Sequence, residues 1–294
     1  MDWDNLRYFL ELSRTGKLTS AARRLSVDHT TVSRRLQALE KSMGVALFNR
    51  KATGYSLTEA GRRLLPQAEA MESAFSAIER DRNEHGDLIS GQVRIGATEG
   101  YGQIILAQQL SELTRLHPNL SIDLLAVPRT VQLSRREADI VITLERPERG
   151  PYIITRLTDY VLRLYASPSY LAEHPPIHMR EDLRQHRFVG YIDDLLYSRE
   201  LQYLNEIGKP QLALRSTSIM AQQQAAAFGA GIAILPSFSA DQDSRLVRLN
   251  VPIEFKRTFW MLMPIELKDI ARMKTTWNFL RTSTETSQNL LLGQ

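Results

Sequence analysis

The chain contains 294 residues, more than one compact hydrophobic core accommodates, so two or three domains are expected. Its composition, 43% apolar and 24% charged, is ordinary for a globular protein, and the absence of cysteine excludes a disulfide framework, cysteine-ligated zinc and a thiol nucleophile. Residues 1–65 hold 12 Lys and Arg against 6 Asp and Glu, a net +6, whereas the rest holds 25 against 27, a net −2. The basic segment, and not the rest of the chain, is therefore expected to bind a polyanionic partner.

The sequence offers no targeting or membrane signal. Its first residues, Met-Asp-Trp-Asp, have neither the basic stretch nor the apolar run of a secretory signal. The longest apolar run, 225–236, contains two glycines and is too short to span a bilayer. We therefore expect a cytoplasmic protein without a membrane partner.

Three helices are predicted in the first part of the chain. They span 3–14, 18–25 and 30–43, with a tight polar turn at 26–29 between the second and the third. Gly44 is the expected C-terminal cap of the third helix. Apolar side chains form one stripe along that helix, at Val32, Leu36, Leu39 and Met43. Two helices joined by a tight turn predict a helix-turn-helix, in which the start of the second helix enters the DNA major groove.

A hairpin is predicted beside these helices. Residues 45–48 are typical of a short strand, 49–55 of a basic turn, and 56–57 of the returning strand. A hairpin in this place is interpreted as a wing. Its Arg50 and Lys51 are suited to DNA phosphates or a neighbouring minor groove.

A long helix is predicted to follow Thr58, its expected N-cap. Its apolar positions have heptad-like spacing and are Leu64, Ala68, Met71, Phe75 and Ile78. Because this seam is narrow and its flanks are polar, a dimer-forming linker helix is favoured, and a helix that packs on its own domain is the simpler alternative. Pro66 lies off the seam and is expected to kink the helix locally.

In the remainder of the chain, segments with the periodicity of a strand alternate with segments that have the periodicity of a helix. Strands are predicted at 93–97, 121–127 and 138–143, and helices at 103–116 and 131–137. The alternation continues through elements at 160–166, 187–192, 201–207, 212–216, 219–229, 232–235 and 258–263, and it ends in a helix at 268–282. This pattern predicts βαβ units and a mainly parallel sheet. The polar tail, 283–294, is expected to be frayed.

An ordered set of motifs runs through the first 65 residues. It comprises Arg7-Tyr8-Phe9, Ala21-Ala22-x-x-Leu25, Val32-Ser33-Arg34-x-Leu36-x-x-Leu39-Glu40-x-x-x-Gly44-x-x-Leu47-Phe48-x-Arg50 and Leu57-Thr58-x-Ala60-Gly61. Further motifs are Leu133-Ser-Arg-Arg-Glu-Ala-Asp-Ile140, Ala166-Ser-Pro-Ser-Tyr-Leu171 and Gly229-x-Gly-Ile-Ala-x-Leu-Pro236. With these motifs the chain resembles the LysR-type transcriptional regulators over most of its length.

The resemblance implies a fold and a division of the chain. The expected fold is an N-terminal winged helix-turn-helix, all-α with a β wing, then a long linker helix and a C-terminal α/β effector domain with two lobes, like periplasmic binding proteins. The DNA-binding domain would occupy 1–58, the dimerising linker helix 59–86, the hinge 87–91, lobe I 92–161 with 266–294, and lobe II 162–265.

The resemblance also implies a function. Such a protein is a sequence-specific regulator of transcription, in which a small metabolite bound between the lobes alters the shape of the oligomer and the bending of DNA. Its expected partners are double-stranded promoter DNA, a small-molecule effector of unknown identity and further copies of the chain, as a dimer through the linker helix and as a homotetramer. RNA polymerase is a further candidate partner. No cofactor and no metal are expected.

The start of the predicted recognition helix holds the candidates for contacts with DNA bases. They are His29, Thr30, Thr31, Ser33 and Arg34, and phosphate contacts are expected from Arg50 and Lys51. A threonine methyl group can contact thymine, an arginine can bind guanine or phosphate, and a histidine can donate or accept. Related regulators more often have Gln or Pro around 29–31, so the half-site sequence is left open.

Three polar clusters are predicted to face the cleft between the lobes. They are Thr98, Glu99 and Gly100 after the first strand, Arg129 and Thr130 after the second, and Ser216, Thr217 and Ser218 before the helix at 219. The resemblance implies that Thr98 contacts a ligand oxygen, although Thr98, Thr130 and Ser218 are equally well explained as helix N-caps. Glu99 argues against a simple carboxylate as the effector, whereas Arg129 favours one.

An enzyme is the principal alternative class. The six histidines are scattered, and the sequence has no His-Glu-x-x-His, P-loop or Gly-x-Ser-x-Gly motif. Gly96, Gly100 and Gly102 follow a strand, but their spacing differs from that of a dinucleotide-binding fingerprint. A plain binding or transport module would leave the basic N-terminal segment unexplained. The sequence therefore favours a ligand-responsive regulator.

Overall fold

The computed structural model describes residues 3–51, 54–68, 71, 89–131, 133, 137–148, 150–208 and 210–294. These residues belong to two compact units, Met1–Asp87 and Leu88–Gln294. The first unit contains the basic segment, and the second contains the alternating strands and helices.

Three helices build the first unit: α1 at Trp3–Thr15, α2 at Leu18–Leu25 and α3 at His29–Met43. The sequence predicted all three, and α3 begins one residue earlier than expected. Their apolar faces meet in one core, which contains Leu6, Phe9, Leu10, Ala21, Val32, Leu36 and Leu39. Because this core takes one side of α3, the opposite side of that helix faces solvent.

A two-stranded antiparallel hairpin follows α3. Its strands are β1 at Phe48–Lys51 and β2 at Gly54–Leu57, with Arg50 opposite Tyr55. The two residues between the strands, 52–53, lie outside the described residues.

The predicted bounds of this hairpin are wrong. The strand expected at 45–48 begins only at its last residue, and the expected turn at 49–55 is largely strand. The reason lies in α3, where the Glu40 carboxylate accepts hydrogen bonds from the N–H groups of Leu47 (2.7 Å) and Phe48 (3.2 Å). These bonds hold the chain before β1 against α3.

A fourth helix, α4, covers 59–68, and residue 71 is also helical. Its predicted N-cap is confirmed, because the Thr58 hydroxyl accepts a hydrogen bond from the N–H group of Gly61 at 3.0 Å. The Thr58 hydroxyl also donates to the carbonyl of Ala46 at 2.8 Å. The first turn of α4 is thereby fixed to the segment that precedes the hairpin.

The apolar side chains of α4 divide between two environments. Leu65 and Ala68 are buried in the core of the first unit, whereas Met71 is 45% exposed. The simpler interpretation, a helix on its own domain, therefore holds up to residue 68. Phe75 and Ile78, the rest of the predicted linker helix beyond residue 71, and residues 87–88 of the predicted hinge lie outside the described residues.

Within the described residues, the second unit contains a nine-stranded sheet. Its strands are β3 Gly91–Thr98, β4 Leu120–Val127, β5 Ile140–Thr143, β6 Tyr152–Ala166, β7 Arg187–Gly190, β8 Gln211–Arg215, β9 Ile232–Pro236, β10 Val247–Arg248 and β11 Phe255–Pro264. The order across the sheet is β4-β3-β5-β11-β6-β9-β7-β8, and β10 pairs with β6.

The sheet is mixed, which corrects the expectation of a mainly parallel one. β3 is parallel to β4 and β5, and β7 is parallel to β8 and β9. The long strands β6 and β11 run antiparallel to each other and join these two parallel groups. The result is the expected α/β architecture with two lobes.

The strands β6 and β11 contribute to both lobes. The predicted division between residues 161 and 162 falls inside β6. Residues 260–262 of β11 pair with 141–143 of β5, which places this end of the strand in the first lobe although it was expected in the second. Alternation along the sequence does not reveal such a shared strand, because the pairing joins segments that are far apart in the chain.

Helices cover the faces of this sheet. The helix expected at 103–116 begins earlier, with Glu99–Tyr101, passes through a π-helical turn at Gly102–Leu106 and ends as Ala107–Leu116; these three segments together are α5. The other helices are α6 Pro168–Glu173, α7 Ile219–Ala227, α8 Ser237–Ala240, α9 Ala271–Thr286 and α10 Gln288–Leu292. The element expected at 201–207 forms short 3₁₀ turns, and the helix expected at 131–137 includes residues 132 and 134–136, which lie outside the described residues.

The C-terminal tail is ordered, so the prediction of a frayed segment at 283–294 is wrong. Thr284 and Leu291 are fully buried. The Thr284 hydroxyl lies 3.0 Å from the Tyr101 hydroxyl, and the Arg163 guanidinium donates to the carbonyl of Leu292 at 3.3 Å. These polar contacts explain why a polar tail packs on the unit.

Candidate functional site

The start of α3 presents polar side chains on the side opposite the core. His29, Thr30 and Arg34 are exposed, and Thr31 and Ser33 are half-buried. They occupy these positions because Val32 and Leu36 on the same helix are buried, and a period of 3.6 residues turns the intervening side chains outward. All five predicted base-contacting residues thus belong to one helical stretch of the first unit.

The neighbouring arginines of α3 have different surroundings. Arg35 forms an ion pair with Asp4 at 3.4 Å, donates to Asn5 Oδ1 at 3.4 Å and lies over the Tyr8 ring at 5.9 Å. Arg34 is exposed and has no ion pair among the described residues. Arg35 therefore fixes α3 to α1, and Arg34 keeps its guanidinium available.

The first turn of α3 has further donor capacity. The Asp28 side chain makes no capping hydrogen bond, and the first turn contains no acidic residue. The N–H groups of Thr31 and Val32 donate to the Asp28 carbonyl at 3.0 and 3.3 Å, so those of His29 and Thr30 and the positive end of the helix dipole are left at the start of α3. Such N–H groups at a helix N-terminus suit an anion such as a phosphate.

Near its turn, the hairpin is held to the loop that joins α1 and α2. The Tyr55 N–H group donates to the carbonyl of Gly16 at 2.8 Å, and a Cβ atom at Gly54 would lie 2.4 Å from that same oxygen. Arg50 is exposed on β1, and Lys51 is the last residue of that strand. The predicted wing arginine thus lies on a strand rather than in a turn.

In the second unit, two of the predicted effector clusters meet. β3 ends at Thr98 and α5 begins at Glu99, whose Oε1 accepts a hydrogen bond from the Ser218 hydroxyl at 3.0 Å. Ser218 also caps α7 by accepting from the N–H group of Ala221 at 3.0 Å, as the N-cap alternative requires. Thr98 makes no side-chain capping bond, so that alternative fails for Thr98.

The remaining members of these clusters support the same contact. The Ser216 N–H group donates to the carbonyl of Gly190, and its hydroxyl accepts from the N–H group of Ser218. Gly100 is buried, and a Cβ atom there would lie 3.1 Å from Ile219 Cγ2. The close approach of α5 to the start of α7 therefore brings Glu99, Gly100, Ser216 and Ser218 together, with Thr217 half-buried between the two serines.

The third predicted cluster behaves differently. Arg129 Nη1 forms an ion pair with Glu137 at 2.7 Å and a hydrogen bond to the Thr130 carbonyl at 3.2 Å. The Thr130 hydroxyl donates to the carbonyl of Tyr197 at 3.3 Å. The positive charge of Arg129 is therefore compensated within the protein, and its predicted preference for an acidic effector loses its basis.

A cavity of about 540 Å³ lies at the C-terminal end of β5. Its wall includes Thr130 among the predicted effector residues, and it is completed by Val131, Leu133, Val141, Thr143, Leu144, Glu145, Arg146, Pro147, Glu148, Tyr152, Tyr197, Ser198 and Leu262. Ends of parallel strands are the usual ligand-binding edge of α/β sheets. Residues 143–146, which follow a predicted strand, could have been selected by that rule.

Two polar bonds close one side of this cavity. Glu145 Oε1 accepts hydrogen bonds from the Ser198 hydroxyl at 2.7 Å and from the Arg199 N–H group at 2.9 Å. Arg146 lies over the Trp260 ring at 5.4 Å. No pattern in the sequence marks Tyr197 and Ser198, because they lie in a loop that only the packing of the lobes brings to the cavity.

The charge of Glu99 acts on two tyrosines of the second unit. Burial raises the pKa of Tyr197, and the charge of Glu99 raises it further. Burial also raises the pKa of Tyr191, with further contributions from neighbouring tyrosines and from Glu99. Both phenols are therefore neutral at physiological pH, and Glu99 is close enough to act on both rings.

In the part of the chain that the structure covers, no helix combines the length and the apolar character needed to cross a membrane. The same residues contain no group of three or more His, Cys, Asp or Glu arranged to hold a metal ion.

Both units match models of known families. Residues 3–62 match the family described as "Bacterial regulatory helix-turn-helix protein, lysR family". Residues 86–285 match the family described as "LysR substrate binding domain". The first match lies within the first compact unit, and the second covers most of the second unit.

One curated relative matches nearly the whole chain, and another matches about three-fifths of it. The "Mau operon transcriptional activator" of Paracoccus denitrificans is 32% identical over 290 residues, which cover 94% of this chain and 95% of the relative. The "HTH-type transcriptional activator TtdR" of Escherichia coli strain K12 is 28% identical over 182 residues, which cover 62% of this chain and 59% of the relative.

Solved structures share the fold. Full-length OxyR from Pseudomonas aeruginosa superposes with a TM-score of 0.71 at 17% identity and covers 97% of each chain. ArgP from Mycobacterium tuberculosis superposes with a TM-score of 0.69 at 18% identity and covers 100% of each chain.

Proposed function

The chain belongs to the LysR family of bacterial transcriptional regulators, and from this premise we propose which surfaces bind its DNA and its effector. The start of α3 and the hairpin contact promoter DNA. A small molecule binds in the second unit, in the cavity beside Thr130 and Tyr197 and against Glu99. Its binding alters the shape of the oligomer and, with it, the bending of DNA.

One observation carries the proposal for DNA. Arg34 is exposed and has no ion pair among the described residues, whereas Arg35 beside it is tied to α1. A free guanidinium near the start of a helix-turn-helix recognition helix suits guanine or a phosphate. His29 and Thr30, exposed one turn earlier, extend the same surface.

The further predicted contacts add affinity for DNA without adding specificity for its base sequence. Arg50 on β1 is exposed and suits a phosphate, and the same role is proposed for Lys51. Thr31 and Ser33, which are half-buried, contribute hydroxyl groups next to the bases or the backbone.

Substitution of Arg34 tests this surface. We expect Arg34→Ala to weaken specific retardation of the DNA upstream of the protein's own gene by about tenfold or more, because a lost guanidinium contact costs about 1–3 kcal/mol. The measurement is a titrated gel shift with the full chain against random competitor DNA. Circular dichroism and the unfolding temperature should be unchanged.

Lys41→Ala provides the matched control. It removes the same charge from an exposed position near the other end of α3. This variant should bind the specific site within about twofold of the wild type, since an exposed charge away from the interface contributes little. A wild-type footprint for Arg34→Ala would contradict the docking proposed here.

The effector site draws on the contacts between the lobes. Glu99 with Ser218, Thr130 with Tyr197, and Glu145 with Ser198 are pairs that join the two lobes, so a molecule inserted among them shifts one lobe against the other. The cavity of about 540 Å³ has room for a small metabolite. Thr98, Gly100, Arg129, Ser216 and Thr217 lie around these pairs and complete the proposed site.

The finer properties of the protein are part of the same proposal. The chain acts as a homotetramer built from dimers that pair through α4 and its continuation, contacts RNA polymerase on the promoter and works in the cytoplasm, where bacterial promoter DNA lies. It needs no cofactor and has no catalytic activity, and its only small ligand is the effector. The exposed Met71 on α4 supports the dimer contact.

A further inference from the structure

The Glu99 side chain has one oxygen without a partner. Oε1 accepts a hydrogen bond from the Ser218 hydroxyl at 3.0 Å. Oε2 is buried, and among the described residues no group donates a hydrogen bond to it. A buried carboxylate oxygen that lacks both a donor and a counter-charge is costly.

Two arginines of the second unit are paired with other carboxylates, and Arg146, which lines the cavity, lies over the Trp260 ring at 5.4 Å. Arg129 pairs with Glu137 at 2.7 Å. Arg257 pairs with Glu200 at 2.8 Å and with Glu206 at 2.9 Å. None of the ion pairs among the described residues includes Glu99. The counter-charge that Oε2 lacks must therefore come from outside this set of side chains.

The aromatic rings next to Glu99 favour the same sign of charge. The carboxylate is close enough to Tyr191 and Tyr197 to raise the pKa of both phenols. Tyrosine rings attract cations through their π-faces, and an ammonium group between a carboxylate and such rings gains from both. Tyr197 also lines the cavity of about 540 Å³, whereas Glu99 does not, so the Tyr197 ring is the feature that the carboxylate and the cavity share.

A structural role explains only part of these observations. A glutamate in the first turn of α5 interacts favourably with the helix dipole, and the bond from Ser218 links α5 to α7. The bond from Ser218 uses only Oε1, and the interaction with the helix dipole depends only on the net charge of the carboxylate. Neither provides a donor for Oε2.

We propose that the effector carries a positively charged group, such as an alkylammonium, which binds Glu99 Oε2 between the lobes. This inference rests on the proposed function, since it assigns a chemical class to the ligand of the same site. The ammonium donates to the carboxylate, and its apolar remainder extends past Tyr197 into the cavity. The bond between Glu99 and Ser218 then acts with the ligand to hold the lobes together.

Calorimetric titration of the full chain tests the proposal. The probes are n-butylammonium chloride, n-butanol and sodium butyrate, which have similar size and differ in charge, at constant ionic strength. We expect n-butylammonium to bind saturably in the millimolar range and both other probes to bind about tenfold more weakly or not at all. Glu99→Gln should remove this preference.

Glu112→Gln is the matched control, because it removes the same charge from an exposed position on α5 away from the site. It should keep the preference for n-butylammonium. Absence of saturable n-butylammonium binding, equal or tighter binding of butyrate, or unchanged selectivity in Glu99→Gln would overturn the proposal.

Two further measurements are needed. The first distinguishes a ligand-binding role of Glu99 from a structural one, and the second distinguishes failure of the ligand class from failure of the proposed function. The unfolding temperature of ligand-free Glu99→Gln should equal or exceed that of the wild type, because an uncompensated carboxylate has been neutralised; a lower value would assign Glu99 a structural role and overturn the inference. Specific DNA retardation by the wild type in the absence of any probe reports on the proposed function alone. If retardation is seen without ammonium binding, only the ligand class fails.

Discussion

Ser26 shows how a single residue sets the geometry of the DNA-binding part. It follows α2 with φ of 54° and ψ of 44°, in the left-handed region, where the described residues have no other non-glycine residue. The turn is closed by the Val27 N–H group, which donates to the carbonyl of Ala22 at 3.0 Å. A side chain in this conformation costs about 1–2 kcal/mol.

Replacing Ser26 with glycine should therefore stabilise the first unit. We expect Ser26→Gly to raise the free energy of unfolding of α2 and α3 by about 0.5–1 kcal/mol, since the relief of strain exceeds the entropy cost of glycine. Native-state hydrogen exchange of the amides of these helices is the measurement, because it resolves one unit of a chain that contains two.

The control for this prediction is Ser20→Gly. Ser20 is within α2, where glycine lowers stability by about 0.5 kcal/mol relative to serine. The two serines should thus respond in opposite directions. A loss of stability in Ser26→Gly would mean that the serine side chain stabilises the turn through its own contacts.

Arg34 and Arg35 are consecutive in α3 but have different surroundings. The sequence predicts Arg34 as a DNA contact but provides no reason to set Arg35 apart. The structure does so, because Arg35 lies over the Tyr8 ring and pairs with Asp4 on α1. The partners of a charged side chain depend on the neighbouring helix, which the local sequence does not specify.

At the scale of elements, the junction between the hairpin and α4 depends on Gly61. A Cβ atom at this position would lie 2.2 Å from the Leu47 carbonyl oxygen, which itself accepts a hydrogen bond from the N–H group of Thr58 at 2.9 Å. The helix passes this close to the chain before β1 only because residue 61 has no side chain. Helix propensity and packing therefore make opposite demands at this residue.

We predict that packing prevails. Helix propensity alone would let Gly61→Ala stabilise α4 by about 1 kcal/mol. The contact with a backbone oxygen instead predicts a loss of about 2 kcal/mol, measured by hydrogen exchange of the α4 amides and by the unfolding temperature. An increase in stability would show that the junction can open without cost.

Gly44→Ala is the comparison for this variant. Gly44 caps α3 with φ of 67°, and a Cβ atom there would meet nothing within 4 Å. Its substitution should cost only the backbone strain of the left-handed conformation, about 1 kcal/mol. The difference between the two variants isolates the clash at Gly61.

At the scale of the whole molecule, α4 is the element through which the dimer is proposed to form. Its first part packs on its own unit through Leu65 and Ala68, whereas Met71 is 45% exposed. An apolar side chain that turns away from its own core, on a seam of heptad-like spacing, is suited to a second copy of the helix. The proposed dimer contact therefore begins where contact with the unit's own core ends.

Introducing a charge on this surface tests the assembly. We expect Met71→Glu to lower the molecular mass measured by light scattering, because a carboxylate buried between two helices is strongly unfavourable. Gln67→Glu introduces the same charge at an exposed position off the seam and should leave the mass unchanged. An unaltered mass for Met71→Glu would place the dimer contact elsewhere.

In the effector domain, some features of the tertiary structure were predicted from the sequence and others were not. Alternating strands and helices predicted most of its strands, the resemblance to the family implied its two lobes, and strand ends predicted the polar clusters around Glu99 and Ser218. The mixed sheet was not predicted, because β6 and β11 pair segments about 100 residues apart. The cavity beside Tyr197 was missed for the same reason.

The sequence by itself determined the helix-turn-helix, the polarity of the face of α3 and the family of the protein, because these depend on short-range periodicity and ordered motifs. Only the tertiary structure decided which arginine of α3 stays free, that the polar tail packs through Thr284 and Leu291, and that Arg129 is neutralised while Glu99 lacks a counter-charge. The physical reason is common to all three. The energy of a charge or a polar group is set by partners distant in sequence, and only folding brings those partners together.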